Sequence, residues 1–315
     1  MTQPADTFDS YDAVGNREDL ADIITMISPS TTPLLSGIAK VPATATNHEW
    51  QTDVLATPSA TNAVIEGDDA TTTASTPTVR LGNRTQISDK VPRVTGTQRV
   101  VDSAGRSDEM ALQIMKSGLE LKTDVESTLF ANNAQVTGNS STAREAAGIP
   151  AWLATNTDFG GGSGADPTGD GTDARTDGDQ RAFTESQLKS VLASCWDEGG
   201  EPDTIFVGSF NKQTLSAFSG GATRNIESSA KKIINAVDVY VSDFGDLVIM
   251  PSRHMRSRDC LVLEMDKWKF AVLRDFQSSE LAKTGDTDRE QMLVEYTLQS
   301  SNEAASGGIF DLTTS

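Results

Sequence analysis

The stretch from Asp102 to Asn132 constrains the fold most, because it has the pattern of one long amphipathic helix. Apolar or small residues recur there at spacings of three and four, which places them on one helical face. They are Ala111, Ile114, Gly118, Leu121, Val125 and Leu129. Asp108 and Glu109 lie near its start, where negative charge favours the helix dipole. We predict a helix over about 104–131, roughly 40 Å long. Such a rod suits a long core helix or the spine of a shell-forming subunit.

Charge and composition limit the partners of the chain. Its 315 residues suffice for two or three lobes. The chain has 45 acidic and 26 basic residues, a formal net charge of -19, which disfavours broad binding to nucleic acid through phosphate neutralisation. The same acidity is typical of proteins from a salt-rich habitat. No run approaches the ~20 apolar residues of a membrane span, and the first residues lack the pattern of a secretory signal. We therefore expect no membrane partner.

Two long polar segments lack the apolar residues for a core of their own. Residues 1–47 form an acidic, turn-rich arm with a short amphipathic piece at 18–27, and the prolines at 29 and 33 favour an extended path. Within residues 48–101, the alternation over 79–101 predicts two strands with a turn at Gly82–Asn83 or at Gly96. A long two-stranded excursion is marginal in isolation. We expect identical copies to complete both segments.

Positive charge is concentrated on this excursion, inside an otherwise acidic protein. The residues are Arg80, Arg84, Lys90, Arg93 and Arg99. They form either a solvated strand face or a basic surface that meets an acidic neighbour. A second basic stretch, at 252–259, is interpreted as a polar loop between strands, in which the arginines would repel those of other copies unless paired with acids such as Asp259 or Asp243. As candidate inter-subunit contacts we take the five basic residues together with Trp50, Arg253 and Arg256.

The remainder has the pattern of a mixed lobe. Residues 158–179, rich in Gly, Asp and Thr, are predicted to be an exposed loop or a disordered insertion. Their aspartates resemble a calcium loop only loosely. A capping box of Thr184 with Gln187 predicts a helix. Further predicted elements are a strand at 204–208, a helix at 209–218, two strands flanking the D-F-G-D turn at 243–246, a hairpin of 260–265 with 268–273, and a final strand at 290–299.

No catalytic pattern is found in the sequence. A P-loop, a dinucleotide-binding glycine motif, a His-Glu-x-x-His motif and a nucleophile elbow are all missing. The two histidines are His48 and His254, and the two cysteines, Cys195 and Cys260, lie far apart and are expected to be isolated buried thiols. We predict a protein that is not an enzyme, with no catalytic residue, no metal site and no cofactor.

An ordered set of short motifs resembles the major capsid proteins of tailed viruses of bacteria and archaea, in the group of myovirus-type major head proteins. The matching pieces are E-D-L-A-D-I-I at 18–24, I-S-P-S-T-T-P-L-L at 27–35, H-E-W-Q-T-D-V-L at 48–55, R-S-D-E-M-A at 106–111, L-E-L-K-T-D-V-E at 119–126, T-A-R-E-A-A-G-I-P-A-W-L at 142–153, L-A-K-T-G-D at 281–286 and the stretch 294–312. They span nearly the whole chain. The strong acidity and the insertion at 158–179 depart from the family pattern.

The resemblance implies the α+β Johnson fold of tailed-phage and herpesvirus capsid proteins. We divide the chain accordingly into an N-terminal arm (1–47), an extended β loop (48–101), a peripheral domain with the spine helix (102–200), an axial domain with a central mixed sheet (201–280), and a return strand and tail (281–315). Some relatives join subunits by a lysine–asparagine isopeptide bond. Lys90 is the only lysine within 48–101, but no such constellation is evident.

The implied function is that of a structural subunit of the virion. Hexamers and pentamers would form an icosahedral head around double-stranded DNA, which is enclosed without specific binding, after assembly in the host cytoplasm. Portal, scaffold and cement or decoration proteins are implied partners. Three alternatives remain open from the residues alone: an encapsulin-like shell around a protein cargo, a trimeric decoration or surface protein, and a secreted hydrolase dependent on His48 or His254. The order of the motifs favours the viral head.

Overall fold

A computed structural model describes residues 28, 30–70, 75–101, 108–218 and 238–315, and the amphipathic piece expected at 18–27 lies outside them. The helices within the described residues are α1 (Pro33–Gly37), α2 (Gly96–Val100), α3 (Glu109–Phe130), α4 (Glu185–Asp197) and α5 (Ser209–Ser216). The strands are β1 (Ala39–Pro42), β2 (Asn47–Thr52), β3 (Val79–Arg84), β4 (Gln86–Lys90), β5 (Arg93–Thr95), β6 (Asn156–Asp158), β7 (Thr204–Val207), β8 (Val239–Ser242), β9 (Gly245–Pro251), β10 (Cys260–Leu263), β11 (Trp268–Glu280), β12 (Thr287–Ser300) and β13 (Gly307–Ile309). Three 3-10 turns occupy Ile149–Ala151, Met265–Lys267 and Glu303–Ala305.

The long helix predicted from the sequence is present as α3. The side chain of Asp108 accepts the backbone N–H of Met110 at 2.9 Å and so caps its first turn. Its buried face carries Leu121, Val125 and Leu129, as the spacing predicts. The helix begins at 109 rather than about 104, and residues 102–107 are not among those described. This helix packs against β4, β5 and β12. Its buried residues belong to the larger of two hydrophobic cores in the described residues, which we call the first core.

A five-stranded sheet lies under α3. Its order is β1-β11-β12-β4, and β5 also pairs with β12. The long antiparallel pair β11–β12 contains register shifts after Val272 and Arg274. Phe270, Tyr296 and Leu298 from this pair pack with the buried residues of α3. The apolar segment 148–153 joins the same core, which explains why such a short loop segment is so apolar.

A six-stranded mixed sheet carries the second core. Its order is β6-β13-β10-β7-β9-β8, with β7 parallel to β9 and β13 parallel to β6. Alternation along β7 separates the two cores, because Phe206 faces the first while Ile205 and Val207 face the second. The second core lies beneath α4 and α5. The capping box of Thr184 and Gln187 that predicted α4 is confirmed.

Two predicted hairpins are wrong in their pairing. Gly82 and Asn83 lie inside β3, which pairs with β2. The strands β4 and β5 pair with β12, so residues 79–101 do not form the predicted hairpin. Gly96 opens α2. The expected hairpin of 260–265 with 268–273 does not form, because β10 joins the six-stranded sheet and β11 joins the five-stranded one. In both cases the alternation correctly predicted strands, but the predicted partner strand was wrong.

Other expected elements are present. The D-F-G-D segment turns the chain between β8 and β9, which pair antiparallel. The final strand expected at 290–299 lies within β12, but β13 follows it within the predicted tail. The sheets also cut across the predicted domain limits, since α4 packs on the six-stranded sheet and β11 belongs with α3. The domain division therefore stays a prediction.

The insertion at 158–179 is only partly exposed, whereas the prediction was an exposed loop or a disordered insertion. The side chain of Arg175 is fully buried within it, and its guanidinium lies 3.6 Å from the centre of the Phe310 ring. The insertion forms an isolated bridge between Ala165 and Thr176 and a backbone hydrogen bond from Asp179 to Gly161. Its glycines and aspartates serve tight turns and ion pairs, which composition alone does not distinguish from disorder.

Candidate subunit interfaces

Between β2 and β3, the described residues 53–70 and 75–78 form no helix or strand and leave apolar side chains in water. Leu55 is 98% exposed, and Val54, Val64 and Ile65 are similarly open. Clusters of exposed apolar side chains mark contact surfaces. The strand pair β2–β3, which we call the ribbon, is held at its base by the buried Asn83. The side chain of Asn83 donates to the carbonyl of Leu298 at 2.8 Å and accepts the N–H of Ala147 at 3.0 Å. The ribbon thus has a firm base and an uncovered loop.

A polar groove of about 520 Å³ lies beside the same ribbon. Arg80 and Arg84 are two of its lining residues, on one face of β3, and Asp170 of the insertion lies opposite. Arg80 forms an ion pair with Glu49 on the adjacent strand. Arg84 forms no ion pair with the described part of the chain. Arg84 is therefore available in this groove to form an ion pair with another subunit.

The other basic residues of the predicted excursion lie on the α3 side of the molecule. Lys90 Nζ is 2.7 Å from an Asp124 carboxylate oxygen, and this hydrogen bond raises the pKa of Lys90. Arg99 pairs with Asp288. Hydrogen bonds from Lys283 and Arg99 lower the pKa of Asp288. Both cations are therefore used inside the subunit.

Arg93 and Arg253 differ from these in having no ion pair within the described ranges. Arg93 is exposed on β5, directly opposite Arg289 in the register with β12. Arg253 is exposed in the loop between β9 and β10. Its neighbour Arg256 pairs instead with Asp177 and with Asp259, as the sequence argument required if these arginines were not to repel other copies.

Trp50 is used mostly within its own subunit. It is half-buried against the first core, and its ring centre lies 5.3 Å from that of Trp152. The eight predicted contact residues thus fall into two groups. Arg80, Lys90, Arg99, Arg256 and Trp50 bind their own subunit, whereas Arg84, Arg93 and Arg253 remain available.

Sequence reasoning missed an apolar edge on the six-stranded sheet. Val241 on the edge strand β8 is 72% exposed, and Val239 and Val248 share its face. The exposed rings of Trp196 and Phe244 lie 5.6 Å apart near the same hairpin. The signal was the alternating valines at 237, 239 and 241, but alternation predicts a buried face without saying whether the same chain covers it.

The described ranges offer neither a metal site nor a membrane-spanning helix. In those ranges no three His, Cys, Asp or Glu side chains come together in a way that could hold a metal ion. No helix there is both long enough and apolar enough to cross a bilayer. The thiols of Cys195 and Cys260 are buried and unpaired with each other, as expected.

Comparison with known proteins decides the family. Residues 4–313 match the SU10 major capsid protein family. The chain belongs to this family. The major capsid protein of Escherichia phage Phieco32 is 29% identical over 341 residues, which is 96% of each chain. The chain is thus a major capsid protein of a phage, a structural subunit, and the resemblance to major capsid proteins of tailed viruses is confirmed.

Solved structures show that the fold is shared as well. A protein of Gordonia phage Cozz aligns with a TM-score of 0.64 at 10% identity, over 99% of this chain and 98% of its own. The capsid of a native GTA particle aligns with a TM-score of 0.63 at 13% identity, over 96% and 98%. A protein of Microbacterium phage Oxtober96 gives 0.59 at 15%, over the same shares. The expected α+β Johnson fold is confirmed.

Proposed function

We propose that this major capsid protein assembles as hexamers and pentamers into the icosahedral head of a virion and encloses double-stranded DNA without binding it specifically. The observation that carries the proposal is the segment between β2 and β3, whose apolar side chains Val54, Leu55, Val64 and Ile65 are exposed and are not covered by the described part of their own subunit. A packed lattice of identical copies supplies that cover. The net charge of -19 supports enclosure without adhesion, because an acidic wall repels phosphates.

We assign the contacts between copies to the surfaces that a single subunit leaves unsatisfied. These are the described residues between β2 and β3 (53–70 and 75–78), the valine face of β8 and β9, and the three arginines without an ion pair in the described ranges, Arg84, Arg93 and Arg253. Charge complementarity with the acidic surface of a neighbour would set the register of the lattice. Arg80, Lys90, Arg99, Arg256 and Trp50 would then stabilise the subunit that presents those surfaces.

The protein would act without catalysis and without a cofactor, in the virion, after assembly in the host cytoplasm. Portal, scaffold and cement proteins are further proposed partners. An encapsulin-like shell of the same fold is the rival, and the family match disfavours it. Electron microscopy of purified particles, with nuclease protection of their contents, tests the choice. Icosahedral particles holding protected DNA support the viral head, whereas particles filled with a protein cargo would overturn it.

The assigned contacts are tested by substitution in the full chain. Deleting residues 60–76 should leave a folded subunit that fails to form particles. Arg84→Glu with Arg93→Glu should reduce particle yield by at least tenfold at unchanged thermal stability, because neither cation has an ion pair to lose within the described subunit. Arg84→Lys with Arg93→Lys is the matched control and should assemble. Normal yields from the charge-reversed chain would remove these arginines from the interface.

A further inference from the structure

Three charged segments meet at one end of the six-stranded sheet: the insertion after β6, the loop between β9 and β10, and the residues that follow β13. We call this group of side chains the clamp. Its members are Asp166, Arg175, Asp177, Arg256, Arg258, Asp259 and Asp311. Backbone hydrogen bonds reinforce it, since Leu312 donates to the carbonyl of Arg258 and Arg181 donates to that of Asp311.

Each arginine of the clamp has a carboxylate of its own. Arg175 Nη2 donates to Asp166 Oδ1 at 2.6 Å, and Arg258 Nη2 donates to Asp311 Oδ1 at the same distance. The third pair is Arg256 with Asp177. The three cations and the three anions of these pairs therefore balance. One pair lies within the insertion, one joins the loop between β9 and β10 to the insertion, and one joins that loop to the C-terminal segment.

The centre of the clamp is dry enough for charge balance to matter. The side chains of Arg175 and Asp311 are fully buried. Arg175 is packed on the face of the Phe310 ring, with Phe159 farther away at 5.7 Å. An unpaired charge in such surroundings costs several kcal/mol, so such groups change their protonation state instead.

Asp259 is the fourth carboxylate and has no hydrogen-bonded partner. It is 1% exposed, and neither carboxylate oxygen accepts a hydrogen bond from the described residues. The nearest cation is Arg256, whose Nη1 lies 3.3 Å from Oδ2 of Asp259. The same guanidinium is already paired with Asp177. If ionised, Asp259 would give the clamp one negative charge too many. A proton on Asp259 restores the balance.

From the burial of Asp259 and its lack of a hydrogen-bond donor in the described residues, we propose that it carries a proton in the native subunit and that its ionisation as pH rises loosens the clamp, which makes the insertion and the C-terminal segment the pH-responsive part of this capsid protein. Burial raises the pKa of Asp259 to about 7, and Arg256 opposes the shift. The charged groups that face it are Arg256 and Arg258 from its own loop and Arg175 and Asp177 from the insertion. His254, in the same loop, has a buried Nε2 without a partner in the described residues.

The direction of the pH effect follows from proton linkage. In the opened chain Asp259 titrates near its ordinary value of 3.8, and in the closed clamp near 7. The closed form therefore holds more protons throughout the interval between them. Its extra stability is complete below pH 3.8 and is lost as pH rises to 7, with the opening equilibrium increasing up to about tenfold per pH unit.

Hydrogen exchange of the full-length subunit, read by mass spectrometry and corrected for intrinsic rates, tests the proposal. Peptides covering 158–181 and 307–313 should lose at least tenfold in protection between pH 5.5 and 8.5, while peptides of α3 should not. Asp259→Asn imitates the protonated acid and should keep its protection at both pH values. Asp166→Asn, which removes an ionised partner of Arg175, should be less protected at both.

Two outcomes would overturn the proposal. One is equal protection of these peptides at pH 5.5 and 8.5 in the wild-type chain, a measurement that needs no variant. The other is a pH dependence that survives in Asp259→Asn but disappears in His254→Gln, because the titrating group would then be the histidine.

Discussion

The carboxylate of Glu126, near the C-terminal end of α3, accepts the backbone N–H of Leu34 at 2.9 Å, and both residues are fully buried. Its second oxygen accepts the N–H of Leu35 at 2.8 Å. Thr32, which precedes α1, makes no side-chain cap, so Glu126, 92 positions from Leu34, caps this short helix instead. Burial raises the pKa of Glu126, and the two backbone hydrogen bonds oppose that rise. The contact fixes the end of the predicted arm to the long helix.

Replacing Glu126 by Gln should therefore destabilise the subunit by about 1–3 kcal/mol. A glutamine offers one oxygen where two N–H groups need acceptors, and its own NH2 group would face one of them. Urea unfolding of the full chain measures the loss. Glu120→Gln, on the exposed side of the same helix, is the control and should change the unfolding free energy by less than about 0.5 kcal/mol. Equal effects of the two substitutions would contradict a capping role.

Arg175→Lys should destabilise the protein by about 2–4 kcal/mol although the charge is kept. The planar guanidinium packs on Phe310 and donates both to Asp166 and to the carbonyl of Leu153, and an ammonium cannot reproduce that geometry. Thermal unfolding and limited proteolysis within 158–179 are the measurements. Arg253→Lys, at an exposed position, should change neither. An insertion that is cut at the same rate in the wild type and in Arg175→Lys would argue against a folded insertion.

Val241→Asp should reduce particle formation without unfolding the subunit. The side chain is largely exposed on β8 and faces no buried core, so a charge there costs little until another molecule covers it. Particle yield by sedimentation and the melting temperature of the unassembled chain separate the two effects. Val241→Ile keeps the surface apolar and should assemble normally. A large fall in melting temperature for Val241→Asp would instead place this valine in the core of its own subunit.

Asp177 should contribute stability that disappears in acid, in contrast to Asp259. Burial works against its ionisation, but the hydrogen bond from Arg256 and the charges of Arg256 and Arg258 outweigh it and hold the pKa of Asp177 below its usual value. A depressed pKa means that the contribution is present above pH 3.8 and is lost as pH falls through the lower, folded value. Asp177→Asn should be less stable at pH 7 and should show a shallower loss below pH 4. Parallel acid-unfolding curves for the two proteins would refute this.

Local signals in the sequence predicted local structure well. The three-and-four spacing of α3, the capping box of α4 and the turn between β8 and β9 each depend on residues within a few positions of one another, and each is confirmed. The pairing of strands was predicted less well. The alternation in Gln86–Lys90 correctly predicted a strand, but this strand pairs with β12, about two hundred residues away in the sequence. Alternation defines a strand and not its neighbour.

The candidate contact residues show the same limit. The concentration of Arg80, Arg84 and Arg93 is visible in the sequence, but whether each charge is free depends on a carboxylate elsewhere in the fold. The valine face of β8 could not be recognised for the same reason, since exposure depends on what lies above the sheet.

By itself, the sequence determined the long helix, the caps and turns, the acidic balance and, through its ordered motifs, the family. These depend on residue type and near-neighbour spacing, which the chain carries explicitly. The tertiary structure decided the strand partners, the burial of Arg175 in a segment whose composition is typical of an exposed loop, and the burial of Asp259. Its carboxylate accepts no hydrogen bond from the described residues, and the arginines beside it are already paired with other carboxylates. Those outcomes depend on which distant groups are brought within a few ångströms of one another, and only the folded chain sets those distances.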